Sequence, residues 1–79
     1  MANGSIESLK ATPLRRWRDQ AGFTLEDVAG LTGASTAAIS LIERGLRNPS
    51  PRMKVQIARG LGVSVGELFT VEQLVDGAA

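Results

Sequence analysis

The sequence predicts an all-α protein that folds as a compact bundle of five helices. Three observations support this fold class. A Ser or Thr that can cap a helix precedes each of five candidate helices, glycines follow most of them, and no segment shows the alternation typical of a β-strand. The chain has 79 residues with no Cys or His. A core this small must therefore fold without disulfides or the usual zinc sites.

The first helix is predicted to begin after the Thr12 cap, with Pro13 at its first position, and to run through Ala21. Leu14 and Trp17 are three residues apart, a spacing that places both on one side of a helix. Trp17 could instead stack on a nucleic-acid base, but its spacing from Leu14 favours the core.

The second helix has the clearest start signals in the chain. Thr24 and Asp27 have the spacing of a capping box, in which each residue bonds the backbone of the other. Phe23 and Val28 stand where a hydrophobic staple would form. Gly33 fits the left-handed position that ends such a helix.

The third helix follows almost at once, capped by Ser35 and stopped by Gly45. At about 100° per residue, Ala38, Ile39 and Ile42 fall on one side and face a core. The opposite side has mostly small or polar residues and a single charge, and its members are Thr36, Ala37, Ser40, Leu41 and Arg44. An ordinary solvated face usually has several Glu and Lys. This composition instead favours a helix that approaches a partner closely.

The last two helices repeat the same signals. A fourth helix is predicted from the Ser50 cap and Pro51 to near Leu61. A short fifth helix begins with a capping box at Ser64 and continues to about Phe69. The helices thus occupy one domain from residue 12 to residue 69.

Two terminal segments flank this domain. Residues 1–11 show no sustained periodicity and are predicted to form a flexible N-terminal arm. Residues 70–79 form a C-terminal tail with three apolar residues, Val71, Leu74 and Val75. These side chains could extend the fifth helix and contact a second copy of the chain, or the tail could fray into solvent. We favour the dimer contact, because so small a domain has little reason to leave them unburied.

Charge is unevenly distributed although its sum is only +1. Five basic residues and no acidic one lie between positions 44 and 66, and they are Arg44, Arg47, Arg52, Lys54 and Arg59. A charge run often means only a solvated surface. Because this one directly follows the third helix, it favours an anionic partner.

The composition excludes several functional classes. Without Cys or His there is no thiol nucleophile, no imidazole base and no usual zinc site, so we predict neither an enzyme nor a cofactor or metal. No apolar run approaches the roughly 20 residues that cross a bilayer, and the N-terminus lacks the pattern of a signal peptide. We therefore expect a cytoplasmic protein with no membrane partner.

The pattern of residues from Leu14 to Phe69 resembles the helix-turn-helix regulators of the lambda-repressor and Cro type, also called the xenobiotic-response-element family. The resemblance depends on many matches in order, chiefly Leu14, Trp17, Arg18, Gly22-Phe23-Thr24, Val28-Ala29, Gly33, Ser35, Ile39-Ser40, Ile42-Glu43, Gly45, Asn48-Pro49-Ser50, Ile57-Ala58, Leu61-Gly62-Val63 and Leu68-Phe69. It implies a helix-turn-helix that binds double-stranded DNA, with the third helix in the major groove.

The same resemblance assigns roles to individual residues. Contact with DNA bases falls to Ser35, Thr36, Ala37, Ser40, Leu41 and Arg44. Contact with phosphates falls to the backbone near Thr24 and Leu25 and to the side chains of Arg47 and Asn48. Arg18 and Glu43 match positions that form a structural ion pair between the first and third helices.

Four positions depart from the family pattern. Leu25 replaces a glutamine at the start of the second helix, which removes a side-chain contact to DNA. Leu41 and Leu46 stand where the family more often has polar or basic residues. Lys54 occupies a position that is normally apolar and buried.

The function predicted from these features is sequence-specific transcription regulation. We expect a Cro-like repressor of bacterial or phage origin that binds an inverted-repeat operator as a homodimer. The alternative is a protein-interaction module of the same fold, or an antitoxin with weak DNA binding. In that alternative, a protein partner would contact an apolar surface formed by Leu25, Leu41 and Leu46.

Overall fold

The computed structural model describes residues 11–70, and they fold into five α-helices. In chain order these are α1 Pro13–Ala21, α2 Leu25–Thr32, α3 Thr36–Glu43, α4 Pro51–Leu61 and α5 Val65–Leu68. No strand occurs between residues 11 and 70, so the predicted all-α, five-helix fold is confirmed. The proposed arm over 1–11 and tail over 70–79 lie almost wholly outside the described residues, and both stay predictions.

The helices begin at the predicted caps. The Thr12 hydroxyl accepts a hydrogen bond from the Arg15 amide at 3.3 Å. At α2 the cap is reciprocal, since the Asp27 amide donates to Thr24 Oγ1 at 3.0 Å and the Thr24 amide donates to the Asp27 carboxylate at 2.9 Å. These bonds satisfy first-turn amides that have no partner inside the helix. Local sequence therefore determines where α1 and α2 start.

The end of α3 is closed by a glycine, as predicted. α3 ends at Glu43, and Gly45 follows in the left-handed conformation with φ of 75°. The Gly45 amide donates to the carbonyl of Ile42 at 3.0 Å, and the Leu46 amide donates to the carbonyl of Leu41 at 2.9 Å. This pair of bonds is a Schellman motif, which satisfies carbonyls that the helix itself leaves open.

The core lies where the five helices meet. Its largest buried apolar side chains are Leu14, Val28, Ile39, Ile42, Ile57, Leu68 and Phe69. Trp17 packs at the edge of this core, partly buried, with its ring centroid 5.8 Å from that of Phe23. Trp17 is therefore part of the packing, as its spacing from Leu14 predicts.

α4 approaches the end of α2 very closely because Gly60 has no side chain. A Cβ atom at residue 60 would lie 2.5 Å from the carbonyl oxygen of Leu31 and 2.7 Å from the Cα of Thr32. One turn earlier in α4, the Gln56 amide donates to the carbonyl oxygen of Thr32 at 2.8 Å. This bond satisfies a carbonyl at the C-terminus of α2. Together these contacts set the distance between α2 and α4.

Candidate nucleic-acid interface

The two predicted faces of α3 are separated in the structure. Ala38, Ile39 and Ile42 are buried, with 6%, 0% and 1% of their surface exposed. The residues assigned to base contact lie on the other side or at the ends of the helix: Ser35, Thr36, Ala37 and Arg44 are exposed, and Ser40 and Leu41 are half-buried. α3 is thus anchored through its apolar side and presents short side chains to solvent.

The exposed side of α3 has the chemistry of a surface that can approach base edges. Thr36 and Ser40 offer hydroxyl groups that can donate or accept, and Ala37 offers a methyl group. Arg44 supplies the charge at the C-terminal end, and its Nε donates to the Ser40 carbonyl oxygen at 3.4 Å. The guanidinium therefore lies against the last turn of α3.

The turn between α2 and α3 is tightly bonded. Thr32 is 6% exposed, and its hydroxyl donates to the Val28 carbonyl oxygen at 2.8 Å. The Thr32 hydroxyl oxygen also accepts a bond from the Ala34 amide at 3.2 Å. Gly33, with φ of 81°, reverses the chain between them. Thr32 is not among the predicted site residues. The sequence pattern alone does not indicate that its hydroxyl bonds the backbone on both sides of the turn.

The N-terminus of α2 is open to solvent at Thr24, but two of its amides are already used. The capping box engages the amides of Thr24 and Asp27. The amides of Leu25 and Glu26 are the first-turn donors that remain for a phosphate. The carboxylates of Glu26 and Asp27 lie in the same turn, so a phosphate would meet nearby negative charge.

Arg18, on α1, bonds both the end of α3 and the turn between α1 and α2. Arg18 Nε lies 2.6 Å from Glu43 Oε2, and its Nη2 lies 3.1 Å from Oε1, which makes the pair bidentate. Arg18 Nη1 also donates to the carbonyl oxygen of Phe23 at 2.8 Å. The side chains of Arg18 and Glu43 are 14% and 4% exposed. The ion pair implied by the resemblance is thus present, and Arg18 also holds the α1–α2 turn.

The hydrogen bond to the Glu43 side chain raises the pKa of Arg18. Burial lowers this pKa to a smaller extent, and the charges of Glu43 and Asp19 raise it further. Because the folded pKa is raised, the stabilisation from this group is complete below the ordinary pKa of arginine and is lost only as the pH passes above the folded pKa. The guanidinium therefore stays charged throughout the neutral range.

The exposed basic surface is smaller than the sequence count suggests. Arg44, Arg47, Arg52 and Arg59 are exposed, but Lys54 is only 2% exposed. The Lys54 ammonium lies 6.0 Å from the centroid of the Phe69 ring, at the outer limit of about 6 Å for a cation–π contact. Lys54 therefore belongs to the interior, as the resemblance implies for this position.

The apolar surface required by the alternative function is also smaller than predicted. Leu25 is half-buried and packs against the core, and Leu41 is half-buried on α3. Leu46, at 66% exposure, is the one member of the predicted trio that is fully open to solvent. Among these three positions, the structure therefore leaves one exposed leucine rather than a continuous apolar face.

The geometry defines a class of protein: a small helical domain in which a capped helix pair presents its second helix. Comparison with known proteins identifies the family of this domain. The family profile described as a helix-turn-helix domain matches residues 11–69. No solved structure matched the chain.

Several curated relatives share this domain. The chain is 37% identical over 65 residues to an uncharacterised HTH-type transcriptional regulator of Sinorhizobium fredii, an alignment that covers 82% of this chain and 84% of the relative. It is 34% identical over 58 residues to one of Archaeoglobus fulgidus, covering 73% of this chain and 83% of the relative. A regulator of Mycobacterium tuberculosis is 36% identical over 53 residues, which are 67% of this chain and 21% of that longer protein.

The chain therefore belongs to the helix-turn-helix transcriptional regulators, with a domain of the lambda-repressor and Cro type. In the family, the first helix of the motif corresponds to α2 and the second to α3. Between residues 11 and 70, no helix is long and apolar enough to span a membrane. The same range contains no cluster of acidic, His or Cys side chains that could hold a metal ion.

Proposed function

We propose that this chain is a transcriptional repressor that binds an inverted-repeat operator as a homodimer and so blocks access to a promoter. The observation that supports this proposal best is the separation of the faces of α3. Its apolar side is buried and held by the Arg18–Glu43 pair, while its opposite side is exposed and carries short side chains. Such a helix can enter a major groove without steric obstruction.

Contact with bases is assigned to the exposed side of α3. The hydroxyls of Thr36 and Ser40 would bond base edges, and the methyl groups of Thr36 and Ala37 would contact thymine methyl groups. The remaining members of the proposed set are Ser35, Leu41 and Arg44. Few of these side chains can form bidentate bonds, so DNA shape would contribute to specificity.

Contact with phosphates is assigned to the two ends of the motif. At the N-terminus of α2, near Thr24 and Leu25, the amides of Leu25 and Glu26 that the capping box leaves unused would bond one phosphate. Arg47 and Asn48, both exposed in the loop after α3, would bond another. These contacts fix register along the duplex and carry no base information.

A dimer follows from the size of the domain. One copy places a single short helix in the groove, which is too few contacts for selective binding in a genome. Two copies related by a two-fold axis would place their α3 helices about 34 Å apart, one turn of DNA. Footprinting at saturating protein should show two symmetric half-sites. One asymmetric half-site would contradict the dimer.

Selection of bound sequences from a random DNA library tests the base contacts. Wild-type protein should select a palindromic site, and Thr36→Ala and Ser40→Ala should each change the preferred base at one position per half-site. Gln20→Ala is the matched control, because Gln20 is exposed on α1. The three melting temperatures should be nearly equal. Identical selected sites for all three variants would refute the assignment of α3.

Salt dependence tests the charge contacts. Arg44 and Arg59 are both exposed arginines, but Arg44 directly follows α3 whereas Arg59 lies on α4. Affinity for a duplex should fall steeply with salt in the wild type. Arg44→Ala should weaken binding much more than Arg59→Ala. Absence of any binding to duplex at low salt would instead favour the protein-interaction module.

A further inference from the structure

We propose that the Thr12 hydroxyl is a positioning group that sets the C-terminal end of α3 for DNA reading. This inference depends on the proposed function, because it assumes that α3 enters the groove. Thr12 lies before α1, far from the exposed side of α3 in sequence, and has no assigned contact with DNA. Its hydroxyl donates to the carbonyl oxygen of Glu43 at 2.9 Å across 31 residues.

The bond completes the last turn of α3. The Schellman motif uses the carbonyls of Leu41 and Ile42, and the carbonyl of Ser40 accepts from the Arg44 amide at 3.1 Å. The next carbonyl along the chain is that of Glu43, a residue that is 5% exposed. A buried carbonyl needs a partner. Thr12 supplies that partner from outside the helix.

The same hydroxyl also caps α1. Thr12 Oγ1 accepts a bond from the Arg15 amide while it donates to Glu43. One oxygen atom therefore joins the start of α1 to the end of α3. Movement of the end of α3 relative to the start of α1 would therefore strain the bond between Thr12 and Glu43.

Glu43 is consequently held by α1 at two separate points. Thr12 bonds its main-chain carbonyl, and Arg18 binds its carboxylate with two bonds. A single attachment would let the end of α3 pivot, whereas two attachments restrict its rotation. Arg44 follows Glu43 directly, so this restraint acts on the proposed base-contacting arginine. Functional groups must be held to within about 0.5 Å to act fully.

The chain contains its own control for this proposal. Ser50-Pro51 repeats the cap-plus-proline arrangement of Thr12-Pro13, and the Ser50 hydroxyl accepts from the Met53 amide at 3.2 Å. Within residues 11–70, no hydrogen bond is seen from the Ser50 hydroxyl to another helix. Thr12→Ala removes a cap and the bond to Glu43, while Ser50→Ala removes a cap alone.

The experiment compares these variants with Thr12→Ser on the selected operator duplex, at a temperature where all are folded. Thr12→Ala should weaken binding about threefold to tenfold, the effect of one net hydrogen bond. The affinity of Ser50→Ala should stay within about twofold of wild type. Thr12→Ser keeps the hydroxyl and should therefore bind with the affinity of wild type. Equal affinities for Thr12→Ala and Ser50→Ala, at similar melting temperatures, would overturn the inference.

Backbone amide resonances of the free protein give a second measurement that does not depend on DNA. The resonances of Arg44 and Gly45 should shift in Thr12→Ala and remain in place in Ser50→Ala. Unchanged resonances in Thr12→Ala would also overturn the inference. Failure of the wild-type chain to bind any duplex would refute the proposed function, while shifted resonances would still support the restraint by Thr12.

Loss of the cap could by itself unfold α1, so Thr12→Asp and Ser50→Asp form a second pair. Aspartate can cap a helix as Thr does, but its carboxylate cannot donate to the Glu43 carbonyl. Thr12→Asp should therefore lose affinity relative to Ser50→Asp while keeping α1 folded. Equal affinity in this pair would count against the proposal.

Discussion

Two junctions between helices, α1 with α3 and α2 with α4, hold the helix-turn-helix in place. They depend on different kinds of contact. The junction of α1 with α3 is polar: Arg18 and Thr12 bond Glu43 at its carboxylate and its carbonyl. The junction of α2 with α4 is a close backbone contact, made possible by Gly60 and supported by one bond from Gln56. Directed bonds fix the orientation of α3, whereas close contact fixes the distance of α2.

The difference predicts how each junction fails. Removal of one partner at the α1–α3 junction leaves a largely buried charge without its main counter-ion, or a carbonyl without its donor. Addition of a single methyl group at the α2–α4 junction forces two backbones apart. The first junction should thus be sensitive to the loss of atoms, and the second to their gain.

The largest effect is expected from Glu43→Ala. This change leaves the guanidinium of Arg18 facing a cavity, and breaking a buried pair in this way costs about 3–5 kcal/mol of unfolding free energy. Urea denaturation measures the loss. Arg15→Ala is the control, because Arg15 and Asp19 form an exposed pair 3.8 Å apart with side chains 42% and 57% exposed.

The control, Arg15→Ala, should lower the unfolding free energy by no more than about 1 kcal/mol. A double variant, Arg18→Met with Glu43→Leu, sharpens the test, since an apolar pair of similar volume is often as stable as the ion pair. Equal losses in Glu43→Ala and Arg15→Ala would show that the α1–α3 junction is not held by this pair.

The next effect is expected at the second junction, from Gly60→Ala. The new Cβ would lie 2.5 Å from a main-chain oxygen of α2, and overpacking of this kind costs about 1–3 kcal/mol. Alanine favours a helix over glycine by about 1 kcal/mol, so a net loss would show that steric contact dominates. Thermal unfolding monitored by circular dichroism measures it.

Gly30→Ala is the matched control for that prediction. Gly30 lies inside α2, is exposed, and has nothing within 4 Å of the position of a Cβ atom. The same substitution should there raise stability by up to about 1 kcal/mol. If both variants gained stability, the close contact between α2 and α4 would not be a constraint.

The two junctions also differ in how far sequence predicts them. Caps and staples involve residues three to five apart, so Thr24 with Asp27 can be identified locally. The Arg18–Glu43 pair spans 25 residues and was predicted through the family resemblance. The bond from Gln56 to Thr32 spans 24 residues and has no local signal, because a glutamine on a helix is ordinarily a solvated residue.

The candidate site shows the same division. The wheel for α3 correctly separates buried Ile39 and Ile42 from exposed Thr36 and Ala37, because helical periodicity alone fixes sidedness. The local sequence of α2 does not predict that Leu25 turns toward the core. That orientation depends on the crossing of α2 with other helices, which no local pattern specifies.

A third substitution separates the two contributions at the α2–α4 junction. Gln56→Ala removes the donor to the Thr32 carbonyl but adds no atom near Gly60, so α2 and α4 can keep their distance. Loss of one hydrogen bond should lower the unfolding free energy by about 0.5–1.5 kcal/mol. Gln20→Ala, the same change on the exposed side of α1, should stay within about 0.5 kcal/mol of wild type. Equal results for Gln56→Ala and Gln20→Ala would leave close backbone contact as the force that joins α2 to α4.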